Sequence, residues 1–103
     1  LNVSSEIRNK LGNGEPKQQD IADALNLSVR QLQRKLTEKS TSFSKLVQEA
    51  RHNMAKEYLR DLTLPIITIS LNLGFSDASN FSSAFKRWEG ISPKAFRDNF
   101  KDL

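Results

Sequence analysis

Between residues 30 and 35 the chain carries Arg30, Gln31, Gln33, Arg34 and Lys35, side chains that share one kind of chemistry. An arginine can hydrogen-bond a guanine through O6 and N7 together, a glutamine can engage an adenine through N6 and N7, and a lysine suits a phosphate oxygen. Leu32 and Leu36 lie one helical turn apart in the same stretch, so a helix that buries them turns the polar side chains outward. Solvation of an ordinary surface helix would call for the same residues, and on this segment alone that reading is the stronger.

Other chemistries find less support. His52 is the only histidine and has no second metal ligand beside it, and the chain has no cysteine, which removes thiolate zinc sites, disulfides and cysteine nucleophiles. Neither a G-x-S-x-G elbow nor a glycine-rich phosphate loop occurs. The sequence therefore predicts a protein that is not an enzyme and needs no metal or cofactor. Phe75, Phe81, Phe85, Trp88, Phe96 and Phe100 could be mistaken for a base-stacking set, but their spacing assigns them to inward helix faces and hence to the core. Arg51, beside Ala50 on the buried side of its helix, is expected to be an ion-pair partner of an acidic residue near the second turn.

These side chains must be positioned by helices. Three Pro, four Gly and few β-branched alternations argue against a sheet. A first helix is predicted from Ser4 to Leu11, ended by Gly12, Asn13, Gly14, Glu15 and Pro16. Gln18 to Leu25 places Ile21, Ala22 and Leu25 on one face, and Asn26 breaks it. Ser28 is an N-cap for a helix running to Lys39. From Ser42 to Leu62, Phe43, Leu46, Val47, Ala50, Met54, Tyr58 and Leu62 keep three- and four-residue steps, predicting one amphipathic helix about 30 Å long, close to the roughly 34 Å of a DNA turn. Pro65 suits the first turn of the next helix, with Ile66, Ile69, Ser70 and Leu73 stepped along it before Gly74. Asp77 caps a helix carrying Phe81, Phe85 and Trp88 that stops at Gly90, and Ser92 with Pro93 opens the last.

At 103 residues, 37% hydrophobic and 27% charged, the chain has the size and composition of a folded single domain. Its formal charge of +4 is concentrated in the middle: residues 1–27, 28–60 and 61–103 carry net charges of −1, +5 and 0. A basic middle favours a polyanionic partner, although a solvated surface accounts for it as well. No apolar run is long enough for a membrane span and the first residues lack a signal peptide's pattern, which predicts a cytosolic protein.

The two halves echo one another. Ile21, Ala22, Leu25, Asn26, Leu27 and Ser28 correspond to Ile69, Ser70, Leu73, Gly74, Phe75 and Ser76 at an offset of 48, and Leu32 and Leu36 to Phe81 and Phe85 at 49. In each half a small residue, Ala22 or Ser70, permits a close helix crossing, and a residue tolerant of left-handed backbone, Asn26 or Gly74, makes the turn. That pattern is a helix-turn-helix. One copy is a weak signal, since many helical hairpins satisfy it, whereas two copies with a rigid spacer are a strong one. The expected fold is all-α, with about seven helices in two helix-turn-helix subdomains, residues 1–41 and 63–103, joined by a linker helix over residues 42–62.

At this point the chain resembles the DNA-binding domain of the AraC/XylS family of bacterial transcription regulators. The second half carries the family's most specific stretch in Pro65, Ile66, Leu73, Gly74, Phe75, Ser76, Asp77, Phe81, Ser82, Ser83, Ala84, Phe85, Lys86, Arg87, Gly90, Ile91, Ser92, Pro93, Phe96 and Arg97. The first half matches through Ile21, Ala22, Leu25, Leu27, Ser28, Leu32, Arg34 and Arg51, so the likeness runs from Ser4 to Phe100. It implies that the two units lie in successive major grooves on one face of promoter DNA. By position it implies base reading by Arg30, Gln33 and Arg34, with Gln31 beside them, and in the second unit by Ala78, Ser79, Ser82 and Ser83. Phosphate contacts fall to Lys35, Lys86, Arg87 and Ser28.

Two departures weaken the second unit's match: Ser83 stands where many relatives have Arg, which shortens its reach, and Ser70 where Ala is usual, which requires a carbonyl for the buried hydroxyl. The resemblance further implies an activator in the bacterial cytoplasm at the nucleoid, contact with RNA polymerase, and an effector, if any, bound by a domain not present here. Because Leu1 is not a start methionine, a fragment of a larger regulator is expected. The rival reading from the residues is a helical adaptor that offers the same basic face to an acidic protein.

Overall fold

Most helix starts are set by side chains that satisfy otherwise orphaned amides; the two helices that open after Lys17 and Pro65 begin without one. The computed structural model describes residues 2–101, and among them the chain forms seven α-helices and no strand: α1 Val3–Lys10, α2 Gln18–Ala24, α3 Val29–Glu38, α4 Phe43–Leu59, α5 Ile66–Asn72, α6 Ala78–Glu89 and α7 Pro93–Lys101. The all-α expectation holds. The outermost ends of the expected first and third segments, Leu1, Asp102 and Leu103, lie outside the described residues. Ser28 opens α3 with a reciprocal box, its Oγ accepting from the Gln31 amide at 3.1 Å while Gln31 Oε1 accepts from the Ser28 amide at 2.9 Å. Ser42, Asp77 and Ser92 cap α4, α6 and α7 in one direction only, each side-chain oxygen accepting from the amide three residues on, at 3.2, 2.7 and 3.0 Å. Each such cap stabilises its helix by about 1 kcal/mol.

One apolar cluster runs through the molecule, from Val3, Ile7 and Leu11 through Ile21, Leu32, Val47, Met54 and Leu59 to Ile69, Leu73, Phe81 and Phe85. Helix α4 is its axis and packs against α1, α5, α6 and α7. A 3₁₀ turn, Leu11–Asn13, follows α1 and packs directly against α5. The halves thus meet beside α4 as well as through it.

Two expectations need correction. Helix α4 ends at Leu59 rather than Leu62, which shortens it to about 25 Å, and Leu62 is 47% exposed. The cause lies in Asp61, whose Oδ1 accepts from the Thr63 amide at 3.1 Å and from Thr63 Oγ1 at 2.6 Å, a local turn that competes with helix. The buried Arg97 of α7 consolidates the stop by donating to the carbonyls of Leu59, Asp61 and Tyr58 at 3.1, 3.1 and 3.5 Å. Arg51 is buried as expected, but its partner is a backbone carbonyl: Nε donates to Leu73 O at 3.0 Å, and the guanidinium lies 4.7 Å above the Phe75 ring. Burial draws its pKa below the ordinary arginine value, and the charge of Glu15 works in the opposite direction.

Candidate nucleic-acid interface

The two helix-turn-helix turns are built from the same hydrogen bonds. After α2, the Leu27 amide donates to Ala22 O at 2.8 Å and the Asn26 amide to Asp23 O at 3.1 Å; after α5, Phe75 donates to Ser70 O and Gly74 to Leu71 O, both at 3.0 Å. This paired closure is the Schellman arrangement, and its left-handed residues are Asn26 at φ 59° and Gly74 at φ 85°. Ala22 and Ser70 are fully buried where the helices cross. The Ser70 hydroxyl finds its carbonyl, donating to Ile67 O at 2.7 Å. The change of offset from 48 to 49 is also explained: the caps Ser28 and Asp77 are 49 apart, so Ser76 is the extra residue of the second turn.

With caps aligned, Val29, Arg30, Gln33 and Arg34 on α3 occupy the places of Ala78, Ser79, Ser82 and Ser83 on α6. Leu32 and Leu36 are buried, and Arg30, Gln31, Gln33, Arg34 and Lys35 are all exposed. Two of these are already engaged: Gln31 closes the capping box, and Gln33 Nε2 donates to Gln18 Oε1 of α2 at 3.1 Å. Among the described residues the ion pairs are Arg8 with Glu57, Lys56 with Glu89, and Lys101 with Asp98, and His52 shares a hydrogen bond with Glu89. Arg30, Arg34 and Lys35 stand outside them, as do Lys86 and Arg87, so the cations of both recognition helices keep their charge uncompensated by contact. On α6 the exposed positions are Ser79, Asn80, Ser83, Lys86 and Arg87, while Ala78 and Ser82 are half-buried.

The arrangement can therefore present one long-armed, hydrogen-bonding helix and one short-armed helix with a basic end. The sequence carries no signal for the role of Gln18, because its link to Gln33 spans 15 residues and follows no local period. The pairing of His52 with Glu89, 37 residues apart, was hidden for the same reason.

A helix-turn-helix domain family of the AraC type matches residues 21–99 of the chain. The chain belongs to that AraC-type family. It is 37% identical over 97 residues to an uncharacterized HTH-type transcriptional regulator of Mycobacterium tuberculosis, covering 91% of this chain and 28% of that protein. The ornithine utilization regulator of Pseudomonas aeruginosa is 36% identical over 83 residues, covering 81% of this chain and 24% of the regulator. The chain thus spans about a quarter of the length of the curated relatives it matches. Among solved structures, a DNA-binding transcriptional dual regulator from Escherichia coli superposes with a TM-score of 0.91 at 26% identity, covering 98% of this chain and 90% of that one. An AraC-type DNA-binding domain protein from Chromobacterium violaceum superposes with a TM-score of 0.84 at 29% identity, covering 95% and 88%. The family consists of DNA-binding transcription regulators, not enzymes. Among the described residues no helix is long and apolar enough to cross a membrane.

Proposed function

We propose that this AraC-type chain recognises double-stranded promoter DNA by sequence, with α3 and α6 docked in successive major grooves on one face of the duplex, and that it acts as an activator. The observation that carries the reading is the duplicated turn: the same hydrogen bonds close the chain between each supporting helix and its recognition helix, and α3 turns Arg30, Arg34 and Lys35 outward, outside the ion pairs among the described residues. The molecule's long dimension of 46 Å supports it, since this exceeds the roughly 34 Å between successive major grooves on one face. Residues 1–41 and 63–103 act as the two reading units, with 42–62 as the spacer.

In this reading Arg30, Gln33 and Arg34 select bases, while Gln31, tied into its cap, adds a fixed polar edge. Lys35, Lys86, Arg87 and the helix start at Ser28 hold phosphates. Ala78, Ser79, Ser82 and Ser83 read at short range, through thymine methyl groups and duplex shape as much as through base edges. RNA polymerase is the proposed partner at the promoter, any effector is bound by another domain of the regulator, and the site of action is the bacterial cytoplasm at the nucleoid.

Selection from a randomised duplex library at about 0.15 M salt tests this. A long asymmetric motif is expected from the wild type. Arg34→Ala should erase preference in one half of it, and Lys86→Ala should lower affinity evenly across sequences. A folded sample that enriches no motif overturns the reading in favour of an acidic protein partner.

A further inference from the structure

Glu89 is the last residue of α6, where the partial negative charge of the helix end disfavours a carboxylate. It is held there from α4. Glu89 Oε1 accepts a hydrogen bond from His52 Nε2 at 2.6 Å, and Lys56 Nζ, one turn further along α4, lies 3.8 Å from the same oxygen. The His52 and Glu89 side chains are each only 25% exposed, so the contact is shielded from solvent to a degree that ordinary surface pairs are not. The His52 ring also lies 5.5 Å from the Trp88 ring at a tilt of 30° and meets Phe85 edge-on at 6.1 Å. Three residues of the last turns of α6 therefore converge on one side chain of α4.

Helix α6 has particular need of such an anchor. The positions on it that match Arg30, Gln33 and Arg34 are Ser79, Ser82 and Ser83, which lack the rotatable length that lets arginine or glutamine follow a base edge. A reading surface built from short side chains works only when the helix backbone itself is placed to within about 0.5 Å. The first unit, with Arg30, Gln33 and Arg34, has no comparable demand.

We infer that His52 is a positioning residue for the second recognition helix: by engaging Glu89 and Trp88 it fixes the pitch of α6 relative to α4, and so determines sequence preference in the second half of the binding site without touching DNA. This rests on the proposed two-groove function.

The test compares wild type, His52→Ala, His52→Gln and Glu89→Ala by duplex-library selection, alongside thermal melting and the fluorescence of Trp88, the chain's only tryptophan. His52→Ala should reduce base preference in the α6 half of the motif by about tenfold, the scale of a hydrogen bond to a charged group, while the α3 half keeps its preference. It should also shift Trp88 emission in the free protein. His52→Gln, whose amide can donate in place of Nε2, should restore both readouts. Glu89→Ala should reproduce the loss from the other side, and the double variant should be no worse than either single one.

Unchanged α6-half preference in a folded His52→Ala protein overturns the inference, as does an equal loss in both halves or a failure of His52→Gln to rescue. If the wild type itself enriches no motif, the proposed function has failed. Trp88 emission then still decides the tether: a shift in His52→Ala reversed in His52→Gln supports it, and an unchanged spectrum overturns it.

Discussion

Arg34 and Lys35 are neighbours in the chain, yet the chemistry of their charges assigns them different work. A guanidinium can grip one base edge with two parallel hydrogen bonds, so Arg34→Ala should cost about 1–3 kcal/mol at the base it reads and almost nothing elsewhere in the site. An ammonium on phosphate displaces a counterion without regard to sequence. Lys35→Ala should therefore lower the slope of log affinity against log salt by about 1 and leave the motif unchanged, as titrations at several salt concentrations would show. Asp61 sets a third expectation, for stability alone. The hydrogen bonds from Thr63 hold its carboxyl below the ordinary carboxylate value, with the charge of Arg97 adding to the effect. Because the folded value is depressed, the contribution is present above the unfolded value and lost as pH falls through the folded one. Wild type should melt above Asp61→Asn at neutral pH, and the gap should close below roughly pH 4. Side chains such as Arg30, Gln33 and Arg34 were legible in the sequence because helical period and two buried leucines fix which way they point. The partners of Arg51 and Arg97 were not, since both donate to main-chain carbonyls, and any residue type supplies a carbonyl.

The turn after α5 shows how much an element can demand of one position. Gly74 sits at φ 85°, and a Cβ placed on it would lie 2.8 Å from the main-chain oxygens of both Leu11 and Gly14. Neither oxygen belongs to a flexible side chain that could move aside. Gly74→Ala should thus destabilise by several kcal/mol, beyond the roughly 1–2 kcal/mol of left-handed strain. Gly90 has the same φ of 85° but open space around it, so Gly90→Ala should incur the strain alone. Thermal or urea melts of the two variants separate the contributions, and equal losses would refute the clash. Asn26, the counterpart of Gly74, carries a Cβ at φ 59°, so the first turn cannot be crowded as the second is. The repeat foretold the left-handed backbone at both positions. It carried no sign that the second turn also abuts the 3₁₀ turn after α1, because that contact joins the halves in space and leaves no period in the chain. The end of α4 was misplaced for a related reason: Leu62 continues the apolar steps, and only the turn made by Asp61 and Thr63 shows that the helix has already stopped.

At the scale of the whole molecule, the question is whether the two helix-turn-helix units behave as separate bodies on a rod. The buried cluster argues that they do not. Val3 and Ile7 of α1 belong to the same cluster as Phe81 and Phe85 of α6, with Val47, Met54 and Leu59 of α4 between them, and the Leu11–Asn13 turn packs on α5. A chain of 103 residues has limited apolar surface to bury, and dividing that core would leave each half too small to be stable alone. The halves should unfold together. A mild core change tests this without unfolding the protein: Ile69→Val, at a fully buried site in α5, should cost about 1 kcal/mol. If folding is one event, the slowest-exchanging amides of α1 and α6 should both speed up by about fivefold. Acceleration confined to α5, α6 and α7 would mean that α4 is a spacer between independently stable units. The shared core also bears on recognition, because strain relieved at one helix is then felt at the other. A duplex carrying only the α3 half-site should slow amide exchange in α6 as well, whereas independent units would leave α6 unprotected until its own groove is filled.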